Sequence, residues 1–559
     1  MRKNIIFALK TRFAVNMNNF SVSGKIVDLQ NSCIFDGKIT IENGKINRIE
    51  TAENVPSQYI MPGFIDSHIH IESSMIVPTE FARLAVVHGT VATINDPHEI
   101  ANVLGKKGVN YMITNAKNSP FKFFFGVPSC VPATRFETSG FTLGVNDVDE
   151  LLSRDDIYYL AEMMNFPGVI NNDAEVIGKI ASARKFNKPI DGHAPGLTGR
   201  DLKKYVSEGI STDHECANVV EAEEKIKLGM KILIREGSAA KNFNALIPLM
   251  AKYPDKLMFC SDDRHPDELV EGHINTMVKR AVAMGFNVFD VIRAATLNVV
   301  NHYKINVGML REGDCADFII VDNLKDFNVK KTFINGELVA ENGISKLSHQ
   351  NTDVINNFGA DFVTSADFSV KDNGKKVNII EAIEGQLFTR QTLAYAKSDG
   401  GFLVSDVEND ILKIAVVNRY KKAKPVVGFI KNFGLTRGAL ASSVAHDSHN
   451  IVVIGCSDDE MAVAVNEIVR SRGGIVAVDG DRTLELPLPV AGLMSIGDGY
   501  EVARRYKEIN AFTKSLGTKM HAPFMTMAFM SLVVIPELKI SDLGLFDVKK
   551  FCFTDLYEE

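Results

Sequence analysis

The chain has 559 residues, too many for one hydrophobic core, so we expect roughly two to four domains. Its 45% hydrophobic and 23% charged residues are typical of a soluble globular enzyme. A net charge of -7 argues against a surface for nucleic acid or anionic membranes, and seven scattered cysteines without a CxxC pair favour a reducing cytoplasm.

The N-terminal residues 1–13 combine basic side chains with a short apolar run. Lys10 and Arg12 interrupt this run, so we interpret the segment as a surface helix and not as a signal peptide. No stretch approaches the ~20 apolar residues that a membrane span needs. Residues 22–60 then show short strands with Asp-Gly and Asn-Gly turns, and the same pattern returns after residue 305. We therefore predict one small β domain built from residues 22–60 and 305–348.

The middle segment, residues 61–304, alternates apolar strand candidates with helical stretches, as βα units around a parallel sheet do. Eight strands in about 240 residues predict an α/β fold, a (β/α)8 TIM barrel. The predicted strands are 59–70, 89–97, 121–129, 157–163, 188–193, 209–215, 231–238 and 257–263. A polar linker at 350–375 precedes a C-terminal α+β domain, residues 375–559.

The ends of the predicted strands carry side chains that bind metals, and in a barrel these ends meet at one mouth. His68 and His70 are two residues apart, so they lie on the same face of the first strand. The complete set is His68, His70, Glu162, His193, His214 and Asp262, with Asp263 beside the last. Four imidazoles and two carboxylates are a full ligand set for two divalent ions bridged by a carboxylate.

Further polar residues lie near the predicted mouth. Three could hydrogen-bond a substrate or instead form a loop cap and an ion pair: His98, Arg235 and Glu236. Glu215 is a candidate acid, although strand alternation could turn it towards the helices. His446 and His449, in AHDSHN, could bind another metal, but we expect them to be structural or part of a lid, because no other ligand cluster accompanies them.

Several motifs carry a family resemblance. HIH after PGFIDS, the later single histidines and the aspartate of the eighth strand resemble the amidohydrolase superfamily. Many members bridge their metals with a carboxylated lysine at the fourth strand, where this chain has none. Glu162 in AEMMNFPGV instead resembles the motif of the bacterial adenine deaminases. So do HIHIESSM, NDPHEIANV, GHAPG, TDHE, REGSAAKN, CSDDRHP, AHDSHNIVVIG and LPVAGLMS, and the resemblance covers essentially the whole chain beyond residue 22.

The resemblance implies a purine-salvage reaction, the hydrolysis of adenine to hypoxanthine and ammonia by hydroxide supplied at a binuclear site. It favours manganese or iron, with zinc as an alternative. Asp262 would shuttle the proton, Glu215 would protonate N1, and the three possible substrate contacts named above would bind the purine. We further expect a cytoplasmic homo-oligomer with a small-molecule substrate and no nucleic-acid or membrane partner.

Two rival functions remain open. Another amidohydrolase reaction, on a cyclic amide or an N-acyl group, would use the same metals with a different pocket. A non-catalytic barrel retained as an assembly module would normally have lost ligands, whereas all six are present here. The cytidine-type zinc deaminases are excluded, because their P-C-x-x-C motif is absent.

Overall fold

A computed structural model describes residues 19–558, so the predicted N-terminal helix, residues 1–13, lies outside the described residues. Four strands come first: β1 (Phe20–Asp28), β2 (Cys33–Glu42), β3 (Lys45–Thr51) and β4 (Tyr59–Pro62). The β2–β3 hairpin turns at Asn43 and Gly44, whose φ angles are 52° and 76°. Such positive φ angles are why a tight hairpin uses Asn-Gly.

The middle of the chain contains eight further strands with helices between them. The strands are β5 (Phe64–Ile69), β6 (Thr90–Asn95), β7 (Lys122–Val127), β8 (Ile157–Met163), β9 (Ile190–Gly192), β10 (Thr212–Asp213), β11 (Lys231–Arg235) and β12 (Leu257–Cys260). The helices are α1 (Pro78–Ala85), α2 (His98–Leu104), α3 (Lys106–Ala116), α4 (Val145–Leu152), α5 (Phe166–Asn171), α6 (Ala174–Lys185), α7 (Gly199–Ser207), α8 (Val219–Lys227), α9 (Phe243–Leu246), α10 (Pro266–Glu271), α11 (Ile274–Ala283), α12 (Val288–Ala294) and α13 (Leu297–Tyr303).

These eight strands form a curled parallel sheet. β5 to β9 make a five-stranded part and β10 to β12 a three-stranded part, each in chain order. Single parallel bridges join Ile190 to Ile210 and Ile69 to Asp262, one at each junction between the two parts. The amide of Asp262 donates to the carbonyl of His68 at 2.9 Å. The last strand therefore ends beside the first, and all the carboxyl ends face one edge.

The first predicted strand, 59–70, is two strands in the structure. β4 pairs with β1, whereas β5 pairs with β6. The break is at Gly63, where a Cβ atom would lie 2.3 Å from the side chain of Val91. Glycine thus allows the chain to pass close to β6 as it moves from one sheet to the other. The apolar side chains on both sides of Gly63 make the two strands look continuous in the sequence.

Four strands follow the curled sheet: β13 (Phe318–Val321), β14 (Val329–Ile334), β15 (Glu337–Glu341) and β16 (Ile344–Ser345). They join the N-terminal strands in one eight-stranded sheet of order β16-β15-β14-β13-β4-β1-β2-β3. β4 lies at the junction, parallel to β1 and antiparallel to β13. Residues on both sides of the middle segment thus share one sheet.

The C-terminal part contains a second eight-stranded sheet, of order β19-β18-β23-β22-β25-β24-β26-β27. Its elements and those around it are β17 (Val370–Lys371), β18 (Val377–Ala382), β19 (Thr389–Ala394), β20 (Ser398–Asp399), β21 (Phe402–Leu403), β22 (Ile411–Val417), β23 (Val426–Lys431), β24 (Ala439–Ser442), β25 (Ile451–Gly455), α14 (Asp458–Ser471), β26 (Gly474–Asp479), β27 (Arg482–Pro487), α15 (Gly499–Ser515), α16 (Pro523–Ala528), β28 (Leu538–Ser541), β29 (Gly544–Asp547) and β30 (Cys552–Thr554).

The two faces of β22 show how this sheet packs. Leu412, Ile414 and Val416 belong to the same hydrophobic cluster as the curled sheet, whereas Ala415 and Val417 face the cluster under α14. Alternate residues of a strand point to opposite faces, so the C-terminal sheet is buried between α14 and the middle segment. Within residues 19–558, no helix is both long and apolar enough to span a bilayer.

Candidate active site

Six ligand-type side chains converge at the carboxyl edge of the curled sheet. All are buried, the most exposed of them at 8%: His68, His70, Glu162, His193, His214 and Asp262. The alternation of β5 turns the first two histidines to the same side, and their Nε2 atoms lie 3.2 Å apart. The structure thus brings together the residues that the strand ends predicted.

Glu162, at the end of β8, lies at the centre of this group. Its Oε1 atom is 3.3 Å from Nε2 of His70 and 4.0 Å from Nε2 of His68. Its Oε2 atom is 2.7 Å from Nδ1 of His193 and 3.2 Å from Nε2 of His214. Burial disfavours the charged carboxylate, but the surrounding histidines, His193 first, hold the pKa of Glu162 well below its ordinary value. Each oxygen therefore faces a different pair of imidazoles.

Asp262 follows β12 in a left-handed conformation, with φ 54°. Its Oδ1 atom is 3.2 Å from Nε2 of His70, and its Oδ2 atom accepts a hydrogen bond from Arg235. Burial raises its pKa, but Arg235 and His70 more than offset this and hold the pKa well below its ordinary value. The guanidinium also donates to both oxygens of Glu215, from Nη2 to Oε2 at 3.0 Å. Arg235 thus links two carboxylates at the edge of the site.

Glu215 points into the site and not towards the helices. Its Oε1 atom is 3.4 Å from Nε2 of His214 and 3.7 Å from Nδ1 of His193. Strand alternation does not apply, because β10 ends at Asp213 and both His214 and Glu215 follow it. Glu236, expected near a substrate, lies elsewhere: β11 ends at Arg235, and the Glu236 carboxylate accepts a hydrogen bond from Arg280 at 2.7 Å, away from the cavity.

His98 lies beside the ligand group. Its Nδ1 atom is 3.2 Å from Oδ2 of Asp96 and 3.4 Å from Oε1 of Glu162. Sequence reasoning missed Asp96, although it directly follows β6 and so obeys the same strand-end rule. It also missed Glu99, which directly follows His98 and lines the same cavity. Asp263, by contrast, lies where expected and accepts a hydrogen bond from Ser73 at 2.5 Å.

The donor set fits divalent metal ions. In two adjoining groups of three residues, the oxygen and nitrogen donors lie within 4.8 Å of one another. The groups are His68, His70 and Asp262, and His68, Glu162 and His214. Nδ1 of His70 lies 3.0 Å from the carbonyl of Asp96, and a hydrogen bond there leaves the Nε2 lone pair directed at the group. Neither oxygen of Asp96 has a well-aligned hydrogen bond among the described residues, although Oδ2 lies 3.2 Å from Nδ1 of His98. Buried imidazole and carboxylate donors of these types suit divalent metal ions.

The cavity in front of these residues is small, and the C-terminal part of the chain lines one side of it. Its volume is about 30 Å³, on the order of the volume of one water molecule. Its far wall contains Leu387, His446, Asp447, Phe529, Leu532 and Ile535. A second cavity, of about 1050 Å³, is lined by residues of the first sheet and its surroundings and by none of the ligand group.

His446 and His449 share one carboxylate above the site. Nδ1 of His446 is 2.6 Å from Oε1 of Glu99, and Nε2 of His449 lies against the other oxygen. Both histidines are buried, and only His446 is among the residues that line the small cavity. Both histidines therefore lie over the ligand group, and we call the segments that cover the ligand group the roof of the site.

Two family profiles match the chain: "Amidohydrolase family" at residues 59–339 and "Adenine deaminase C-terminal domain" at residues 386–552. The adenine deaminase of Salinibacter ruber is 54% identical over 96% of this chain and 99% of that protein. Those of Methanosarcina mazei and Borreliella burgdorferi are 53% and 51% identical, each over 96% of this chain and over 99% and 100% of their own. Because this similarity extends over nearly the whole sequence, the chain belongs to the adenine deaminases of the amidohydrolase family.

Proposed function

We propose that this chain hydrolyses adenine to hypoxanthine and ammonia. The observation that carries the proposal is the position of Glu162, whose two oxygens face separate pairs of histidines. A carboxylate so placed would help to hold the divalent ions that a metal-assisted hydrolase uses to activate water. The substrate assignment rests on the adenine deaminases that are similar over the full length.

The proposal includes a domain layout. The curled sheet and its helices, residues 61–304, are a (β/α)8 TIM barrel. Residues 22–60 and 305–348 form a small β domain, and residues 375–559 form the C-terminal α+β domain. The barrel is supported by eight parallel strands and by the bridge between Ile69 and Asp262. The matched C-terminal profile, residues 386–552, falls inside the third domain.

Two ions would be held by six residues: His68, His70, Glu162, His193, His214 and Asp262. Manganese or iron is favoured and zinc is the alternative, because imidazole and carboxylate donors suit all three. When bound, such a centre lowers the pKa of a water and supplies hydroxide near neutral pH.

The protein's carboxylates would move the protons. Glu215 accepts hydrogen bonds from Arg235 on both carboxylate oxygens, and these bonds fix its position at the edge of the site. It takes a proton from the attacking water and gives it to N1 as the oxygen bonds to C6. Asp262 then transfers the hydroxyl proton to the amino group, the bond from C6 to that nitrogen breaks, and ammonia leaves. The hydroxyl oxygen becomes the carbonyl of hypoxanthine, and N1 keeps its proton.

The other predicted contacts take different roles in this scheme. Arg235 uses its donors on Asp262 and Glu215, so we assign it to positioning and not to substrate binding. His98 stays a candidate for substrate binding, because it lines the cavity. Purine salvage, a cytoplasmic location and a homo-oligomeric state complete the proposal and rest on the family resemblance.

Ammonia release from adenine tests the proposed reaction. The protein is loaded with Mn²⁺, incubated with adenine, and assayed for ammonia and hypoxanthine, with cyclic amides and N-acyl compounds as rival substrates. Asp262→Asn is expected to abolish turnover while bound manganese remains measurable. Glu236→Gln is the matched control, because that carboxylate lies outside the cavity, and it should keep its activity. Full activity of the Asp262 variant would disprove the role of Asp262. Turnover of a rival substrate alone would disprove the reaction.

A further inference from the structure

The loop between β24 and β25, residues 443–450, forms part of the roof over the site and is buried throughout. It brings His446, which is 2% exposed, into the wall of the small cavity. The same cavity is lined on its other side by Glu162 and Asp262. A side chain from the C-terminal sheet thus faces the space that a substrate would occupy.

The ring of His446 is held on two sides. Its Nδ1 atom is 2.6 Å from Oε1 of Glu99, and its face stacks on Phe529 with centroids 4.3 Å apart and planes 15° apart. The remaining polar atom, Nε2, is buried and has no hydrogen-bond partner within residues 19–558. Leaving such a buried atom unpaired is unfavourable. A bound ligand that hydrogen-bonds Nε2 would remove this cost.

We propose that Nε2 of His446 hydrogen-bonds a ring nitrogen of adenine, so that the C-terminal part of the chain supplies a substrate-binding residue. This inference rests on the proposed function. Adenine presents ring nitrogens along its edge, and the apolar side chains of Phe529, Leu532 and Ile535 beside His446 suit its flat faces.

The charge of His446 indicates which nitrogen is suitable. Burial lowers its pKa, but Glu99 and then Asp263 outweigh burial and raise it to about 9. At neutral pH the ring is then an imidazolium, and Nε2 carries a hydrogen to donate. The partner on adenine is therefore an acceptor nitrogen, N3 or N7, because N1 receives its proton from Glu215 in the proposed reaction.

His449 offers a matched comparison in the same loop. It is also buried and lies against Glu99, but its Nδ1 atom accepts from the amide of Ala445 at 3.2 Å and it does not line the cavity. A substitution at His449 perturbs the same carboxylate without reaching the substrate. It therefore separates an effect on the roof from a direct contact.

The test uses His446→Asn and His446→Gln in the full-length, Mn²⁺-loaded protein, with His449→Asn as the control. Asparagine keeps a donor near the position of Nδ1, towards Glu99, and removes Nε2, whereas glutamine retains a donor near the position of Nε2. Binding of 1-, 3- and 7-deazaadenine is measured by calorimetry, and KM and kcat are measured for adenine. We expect His446→Asn to weaken binding of the analogues that keep the contacted nitrogen by about 10- to 100-fold. We expect His446→Gln to restore part of the loss.

The deaza analogues decide the result. If His446 contacts one ring nitrogen, the penalty of His446→Asn disappears for the analogue in which carbon replaces that nitrogen, and persists for the other two. A penalty equal for all three analogues, or equally large in His449→Asn, would refute the contact. Wild-type protein that binds the analogues but releases no ammonia from adenine would refute the proposed function instead, and the binding data would still decide the role of His446.

Discussion

Lys225 offers a strong test of how the fold positions the histidines. Its side chain is completely buried, and Nζ donates to Oδ2 of Asp213 at 2.6 Å, to Oε1 of Glu221 at 2.7 Å and to the carbonyl of Ala194 at 2.7 Å. Oδ1 of Asp213 in turn accepts from the amide of Ala194 at 3.0 Å. These bonds join the loops after β9 and β10. These loops carry His193 and His214, so we expect Lys225→Met to make the positions of both histidines less fixed.

The size of the effect follows from burial. The substitution leaves the carboxylates of Asp213 and Glu221 without their cation, and breaking a buried ion pair from one side costs about 3–5 kcal/mol. Lys413→Met is the matched control in the C-terminal sheet. Lys413 is equally buried, but its carboxylate partner Asp458 is 26% exposed and water can solvate it. We expect a cost of about 1–2 kcal/mol there.

Urea unfolding of the metal-free variants, followed by circular dichroism, measures both costs, and manganese analysis after dialysis gives the ions bound per chain. We expect Lys225→Met to lose more stability than Lys413→Met and to bind fewer ions than wild type. Adding Asp213→Asn to Lys225→Met should recover part of the stability, because one of the unpaired charges is removed. Equal losses in the two lysine variants, with unchanged metal binding, would refute the reasoning.

Three further predictions follow from other buried groups. Glu162→Gln should reduce bound manganese below two ions per chain by elemental analysis, because an amide presents only one oxygen to the two histidine pairs. Arg235→Lys should lower kcat by about 100-fold without changing the circular dichroism spectrum, since one ammonium cannot reproduce the planar fork that holds Asp262 and Glu215. Burial lowers the pKa of Lys539 from 10.5 to about 7, so the unfolded chain binds more protons between these values and stability rises with pH. The stability advantage of Lys539→Met in urea should accordingly be largest below pH 7 and shrink towards pH 10; a gap that widens would contradict this sign.

Local sequence patterns predict most residues of the site but not the residues that cover it. His68 and His70 were predictable because strand alternation puts residues i and i+2 on one side, and Glu162 because it ends a strand. The break at Gly63 was hidden, since apolar residues continue through it. The orientation of Glu215 depends on where β10 ends, which is set by pairing with β11 and not by local sequence. The position of His446 over Glu99 depends on packing between segments far apart in the chain, which no local pattern encodes.

The carboxylate of Glu162 also affects how the site is assembled. A carboxylated lysine forms only when the amine reacts with carbon dioxide, so a centre built on it depends on dissolved bicarbonate. Here the central carboxylate is encoded in the gene and is present as soon as the chain folds. Recovery of activity after metal removal should then depend on the divalent ion and on pH, and should proceed equally well in buffer purged of carbon dioxide.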